Sequence, residues 1–275
     1  MRGFSEPGIA LHRDTPELAS AYDRTSIYQF ENGKQLVSSL NISVGESVLD
    51  VGAGTGHLAA YVGKIVGPSG WVVGIDPLPL RIGIAQTKAS GNFEARVGRA
   101  EDLSQFSDAS FDVVYLNSVF LWVEDKPRAL AEIFRVLRAG GRVGLTCQDA
   151  ARPHELRLFI RQALVEAGLE LDHHIAQASF GLAKNELEAM VIAAGFVSYS
   201  SELRTFVEVF SDVDALITWA SSSSFGNFLV NVSEVNCARI RDALDRLLES
   251  KRLADEGIRL ERYLTFATAR KPKMD

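Results

Sequence analysis

The chain of 275 residues has only two cysteines, no long apolar run and no surplus of basic charge. Cys147 and Cys237 lie far apart and outside any C-x-x-C spacing, so neither a disulfide framework nor a cysteine metal site is suggested, and no metal is expected. Cys237 shares helical spacing with Ile240, Leu244 and Leu247 and reads as a buried structural thiol. No stretch approaches the roughly 20 apolar residues that span a bilayer. The beginning, MRGFSEPGIALHRDTPELA, lacks the apolar centre of a signal peptide. A net charge of −6 gives neither nucleic acid nor an anionic membrane a surface to attract, a local basic patch aside. These absences lead to the expectation of a soluble, cytoplasmic protein with no nucleic-acid or membrane partner. A hydrophobic content of 47% with 23% charged residues is ordinary for a globular chain of one large domain.

What is present is alternation. SVLDV (47–51), WVVGI (71–75), FEARVG (93–98), FDVVYL (111–116) and GRVGLTC (141–147) read as strands. Between them HLAAYVGKIVG, LRIGIAQTKA and PRALAEIFRVL read as helices, the last with Leu130, Ile133, Phe134 and Leu137 on one face after an early Pro127. Strands separated by helices of this length imply an α/β class with a parallel, doubly wound sheet. Its ligands bind outside the carboxyl ends of the strands.

The loop after the first strand, VLDVGAGTGHLA, carries Gly52, Gly54 and Gly56 at alternate positions. Glycines there let backbone approach a ligand closely. A dinucleotide fingerprint would want a further glycine at position 57, where His57 stands, and no P-loop occurs. Asp50 would repel a phosphate approaching the turn and favour an amino or sulfonium cation. Asp76, ending the second strand, is placed to accept the hydroxyls of a ribose.

The series VLDVGAGTG, VVGIDP, VGRAEDL and FDVVYLNSVFLWVEDKPRALAEIFRVLRAGGRV resembles the class I S-adenosylmethionine-dependent methyltransferases, small-molecule branch, and is similar to the ubiquinone/menaquinone-biosynthesis and arsenite enzymes. The resemblance covers residues 45 to 147. It implies a Rossmann-like, doubly wound seven-stranded sheet with an antiparallel last strand, and S-adenosyl-L-methionine as cofactor, with S-adenosyl-L-homocysteine as product. It implies that Asp50, Gly52, Ala53, Gly54 and Gly56 hold the methionine part and Asp76 the ribose, with Pro77 or Leu78 beside the adenine. Ala100, Glu101 and Asp102 would line the adenine edge, and Asn117 and Ser118 would lie beneath the sulfonium. Arg99 departs from an acid often found at its position, and Ala139 replaces a proline in the turn before Gly140 and Gly141. Glu101 and Asp102 have a second reading as a solvated helix start.

The flanks carry substrate choice. Residues 1–35 read as a helical segment covering the cofactor, with Tyr22, Ser26, Gln29 and Gly33 at helical spacing toward it, or else as a surface helix packed through Tyr22 and Tyr28. Residues 36–210 and 258–275 form the methyltransferase domain on this reading, with FVSYSSELRTFVEVF and RLERYLTFATARKP as its last paired strands. Asn185 with Glu188 reads as a capping box for a helix closed by Gly195. Residues 211–257 are an inserted helical cap whose Trp219, Phe225 and Phe228 would, with Trp122, wall an apolar acceptor pocket; core packing or a dimer contact is the other reading. Methyl transfer from a sulfonium needs chiefly orientation and exclusion of water. Should a base be used, His154, His173 and His174 are the candidates, with His173 and His174 foremost. The acceptor is expected to be small and partly apolar, methylated at O, C, N or S, because no N-P-P-Y follows the fourth strand and no carboxylate cluster suggests magnesium. The other readings are a cofactor-binding protein without transfer, an arsenite methyltransferase and an enzyme of macromolecules.

Overall fold

The computed structural model describes residues 14–169, 181–222, 228–229, 232–253 and 257–273. β1 (Ser47–Val51), β2 (Trp71–Asp76), β3 (Phe93–Val97), β4 (Phe111–Leu116) and β5 (Leu137–Gln148) pair in parallel. β8 (Gly257–Arg270) runs antiparallel to β5 and to β6 (Val197–Phe210), so the sheet order is β3-β2-β1-β4-β5-β8-β6. The two-residue β7 (Arg252–Leu253) hangs on β8 and makes the sheet eight-stranded, one more than expected.

Alternation sorts the strand residues between two cores. Val48, Val113, Tyr115, Leu264 and Phe266 face one way and pack under α2 (Ile27–Ser39), α3 (His57–Val66) and α4 (Pro79–Lys88). Leu49, Val51, Val114, Leu116, Ala267 and Ala269 face the other and pack under α5 (Lys126–Val136) and α7 (Lys184–Ala193). A sheet with apolar residues on both faces must be covered twice, which is what a doubly wound chain does.

Several boundaries differ from the sequence reading. The helical stretch at 16–39 is two helices, α1 (Pro16–Thr25) and α2, broken at Ser26, whose N–H still donates to Tyr22 O. β5 starts at Leu137, not at 141, because Phe111 pairs Leu137 and the register then shifts to Val113 with Arg142, absorbing Gly140 and Gly141. The α7 cap is Ala183 with Glu186, whose carboxylate accepts from the Ala183 N–H, and not Asn185 with Glu188. Gly195 follows this helix with φ +95°, the left-handed form that closes helices.

Residues between β6 and β8 form α8 (Val213–Ser222) and α9 (Glu234–Leu247), which pack with α6 (Glu155–Glu166) around a third apolar core. Trp219 is its largest member, 2% exposed, with its ring 5.3 Å from Phe210 and 6.5 Å from Tyr28. Replacing Trp219 by Ala should therefore destabilise the protein by about 3–5 kcal/mol. Urea unfolding of the free protein checks this; an unchanged midpoint would mean that the side chain serves a ligand and not the core.

Candidate active site

The site is built where β1 and β4 end. A pocket of about 370 Å³, its open mouth included, is lined by Tyr22, Ser26, Gln29, Phe30, Asp50, Gly52, Ala53, Thr55, His57, Leu58 and Asn117. The thin loop is what makes room. Gly52 has φ +81°, and a Cβ there would stand 2.1 Å from Val119 Cγ2; Gly54 has φ +54°, with Tyr22 Cε1 2.9 Å from where its Cβ would be. Any side chain at these positions meets both backbone strain and a neighbour.

Two acids sit beside this loop. Asp50 is buried, accepts from the Tyr115 hydroxyl at 2.8 Å, and is pushed up to about 7 by burial, against that bond and with help from Asp76. Asp76 is buried as well, with Oδ2 accepting from Gly54 N and Oδ1 from Leu78 N, both at 2.9 Å. Burial raises its pKa, while Arg81 and the two backbone donors oppose the rise. Asn117 Nδ2 donates to Gln29 O at 2.7 Å, and its Oδ1 accepts from Thr146 Oγ at 3.4 Å, which ties the end of β4 to α2 and to β5. Ser118, at φ +60°, donates its N–H to the same Thr146 oxygen at 2.7 Å. The side-chain amide of Gln29 is buried in the pocket wall with neither its nitrogen nor its oxygen bonded to protein. An unpaired buried amide of this kind is a site for a polar ligand group.

The N-terminal helices lie over the loop. Tyr22 packs on Gly54, and the Arg81 guanidinium lies 4.3 Å from the Tyr22 ring centroid while donating to Ser222 O at 2.8 Å. Lys88 bonds both Asp23 and Thr55 O, and His57 pairs with Asp23 at 2.8 Å, fastening α1 to the loop and to α4.

Sequence reasoning thus named Tyr22, Ser26, Gln29, Asp50, Gly52, Ala53 and Asn117, which the structure brings together. Gly33 packs behind them against Leu58 and Asn117. Asp76, Pro77 and Gly56 adjoin the loop without lining the pocket. Ala100 is packed in the core, and Glu101 is turned toward the 124 turn, accepting from Glu124 N at 3.0 Å, with Arg99 3.8 Å away. Asp102 is exposed and accepts from Ser104 N. Trp219 and Phe228 are placed in the third core and away from the pocket lining, and Trp122 is half-buried under the Arg157 guanidinium. His154 is buried, with Nδ1 accepting from Leu156 N and Nε2 donating to Glu208 at 2.8 Å, so both nitrogens are engaged in structure. His173, His174 and Phe225 lie outside the described residues. The reading missed Phe30, Thr55, His57 and Leu58 of the lining and Tyr115 behind Asp50. The alternation of β4, which puts Tyr115 opposite Asp50 in register, was the signal for the last.

A thin glycine loop, two buried acids at neighbouring strand ends and a helical roof suit a ligand with a cationic amino acid end and a ribose. Comparison with known proteins agrees. Residues 49–145 match the family described as methyltransferase domain. The demethylmenaquinone methyltransferase of Staphylococcus aureus (strain JH9) is 31% identical over 209 residues, which cover 68% of this chain and 85% of that one. That of Staphylococcus carnosus (strain TM300) is 32% identical over 150 residues, 52% of this chain and 61% of the relative's length, so less than two thirds of it is spanned. Phosphoethanolamine N-methyltransferase 2 of Haemonchus contortus, solved with S-adenosyl-L-methionine, shares the fold with TM-score 0.58 at 17% identity, over 94% of this chain and 58% of that one. The chain belongs to the S-adenosylmethionine-dependent methyltransferases. It is an enzyme, and S-adenosyl-L-methionine is its cofactor.

The Asp50 carboxyl has its pKa pushed up to about 7 in the free protein, and an ammonium bound beside it would favour the ionised form. Affinity for S-adenosylhomocysteine should therefore tighten by roughly tenfold from pH 5.5 to 7.5, as the acid gives up its proton. Calorimetric titration across that range, with Asp50→Asn as the flat control, checks it; equal slopes would remove Asp50 from the account.

Proposed function

We propose that the protein transfers the cofactor's methyl group to a small, partly apolar acceptor enclosed beside the pocket. The observation that carries this is the pocket itself: a space of about 370 Å³ at the carboxyl ends of β1 and β4, roofed by α1 and α2. In this reading Asp50, the Gly52–Gly54 backbone and the free Gln29 amide hold the methionine end, Asp76 the ribose and Pro77 with Leu78 the adenine face. Asn117 and Ser118 lie toward the methyl group. Residues 1–35 cover the cofactor and residues 211–257 cap the acceptor side, with Trp219 and Phe228 stiffening that cap from within.

When bound, the cofactor supplies an activated methyl group: the acceptor's electron pair forms the new bond to carbon while the carbon–sulfur bond breaks and its pair stays on sulfur. What the protein adds is orientation and exclusion of water. Of the described histidines, His154 has both ring nitrogens engaged, by Glu208 and by α6, and His57 in the pocket wall has its Nε2 held by Asp23. An acceptor that ionises on its own would need no base from the protein. The relatives are named for demethylmenaquinone, a quinone whose reduced dihydroxy form would be an acceptor of this kind. The arsenite alternative is the less favoured, because Cys147 is buried in the core with its thiol pushed up to about 11 by burial, and Cys237 sits on α9 against Val232 O.

The test is methyl-labelled cofactor with the protein and a reduced quinone extract. Label should pass to an organic-soluble product, and Asp76→Ala should weaken cofactor binding by roughly 10- to 100-fold through loss of two charge-assisted hydrogen bonds. Cofactor bound tightly with no label transferred to any extract component would contradict the proposal.

A further inference from the structure

β6 and β8 stay paired beyond the end of the sheet. The last β5–β8 pair is Gln148 with Leu264, whereas β6–β8 pairing continues to Phe210 with Ile258. Arg262 is the first residue past that end on the face of Leu264 and Phe266, which is the face under α2. It is 1% exposed. Its Nη1 reaches Glu208 Oε1 only at 3.5 Å, and its Nε is buried with no partner. Glu208, fully buried, already accepts from His154 Nε2 at 2.8 Å. Arg157 brings a second buried guanidinium to the same cluster, pulled down to about 10 by burial and by Arg262.

The buried face of α2 carries polar residues ahead of Leu36. Gln29 and Asn32 precede Leu36 on its buried face, and Gln29 Nε2 and Oε1 and Asn32 Nδ2 all lack protein partners. Gln29 also lines the pocket, and Arg262 lies near enough to Tyr22, another pocket wall, for its charge to act on that hydroxyl. Aromatic rings of Tyr28, Phe210 and Trp219 pack next to the His154–Glu208 pair. A guanidinium is costly to bury unless its forked donors meet an anion, and one long bond to a shared carboxylate leaves that capacity unused.

We propose that Arg262 anchors an acceptor subsite, next to the methionine end of the pocket, which takes an anionic oxygen: an ionised ring hydroxyl or a carboxylate on a flat apolar acceptor. This rests on the methyl-transfer reading and names its substrate class. A ring hydroxyl held as its oxyanion has already lost its proton to solvent, so its electron pair can form the bond to the methyl carbon while the carbon–sulfur pair stays on sulfur, and no protein base is needed to ionise it; a carboxylate there would only orient the acceptor.

The test measures binding of three probes to the protein saturated with S-adenosylhomocysteine: 2,4-dinitro-1-naphtholate, 2-naphthoate and uncharged 2-methoxynaphthalene. The wild type should bind at least one of the two anions, and which of them it prefers tells hydroxyl from carboxylate. Arg262→Met should weaken that anion at least tenfold and leave 2-methoxynaphthalene and S-adenosylhomocysteine within twofold. Arg262→Lys should fall between. Glu208→Gln, which removes the competing carboxylate, should tighten the anion, an effect that a merely structural role would not give. Failure of the wild type to bind either anion, equal loss for charged and uncharged probes, or weakening by Glu208→Gln would each overturn the subsite. Retained S-adenosylhomocysteine binding in those cases would leave the methyltransferase reading standing.

Discussion

The structure depends on two carboxylates buried at the ends of neighbouring parallel strands. An ionised carboxylate away from water is expensive unless donors surround it, and here each acid finds only part of what it needs. Asp76 has two backbone N–H groups, supplied because the loop after β1 turns tightly enough to bring Gly54 against the end of β2. Asp50 has one phenol, and its carboxyl is left with a pKa of about 7. On the proposed reading a ligand ammonium would answer Asp50 and ribose hydroxyls would answer Asp76, so part of the drive for binding would lie in donors that the free protein leaves missing.

The remainder of the fold holds that arrangement in place. The two cores fix β1, β2 and β4 in register, which sets the separation of the acids and of Asn117. α1 and α2 close the site from above through the Asp23, His57 and Lys88 contacts and through Tyr28, whose hydroxyl donates to Val209 O and accepts from Val209 N on β6. The third core is built around the extended β6–β8 hairpin and stands next to the pocket. The same demand recurs there with opposite sign: Arg262 is a cation lacking a full anionic partner.

How much of this was legible depended on whether a residue's role was local. The five parallel strands showed as short β-branched runs, and the loop after β1 as alternating glycines, because both are dictated by backbone geometry. The break at Ser26 did not show, since Thr25 and Ser26 are compatible with a continuing helix. The α7 cap was missed because alanine occupies the cap position and the signal lies in Glu186 reaching back. Trp219 and Phe228 could have walled a pocket or filled a core, and only the packing of α6 against α8 and α9 decides. Glu208 and Arg262 were not singled out in the two strand stretches that contain them. Yet Phe206-Glu208-Phe210 and Leu260-Arg262-Leu264 put each charge in phase with apolar neighbours, which marks it as buried.

The most direct test of the account is the proton balance of cofactor binding at pH 7, read by calorimetry with S-adenosylhomocysteine in buffers of different ionisation enthalpy. If the ligand's ammonium completes the Asp50 site, the wild type releases a fraction of a proton on binding and the Asp50→Asn variant releases correspondingly less. Identical proton release by the two proteins would contradict the claim that an unmet acid at the end of β1 governs this site.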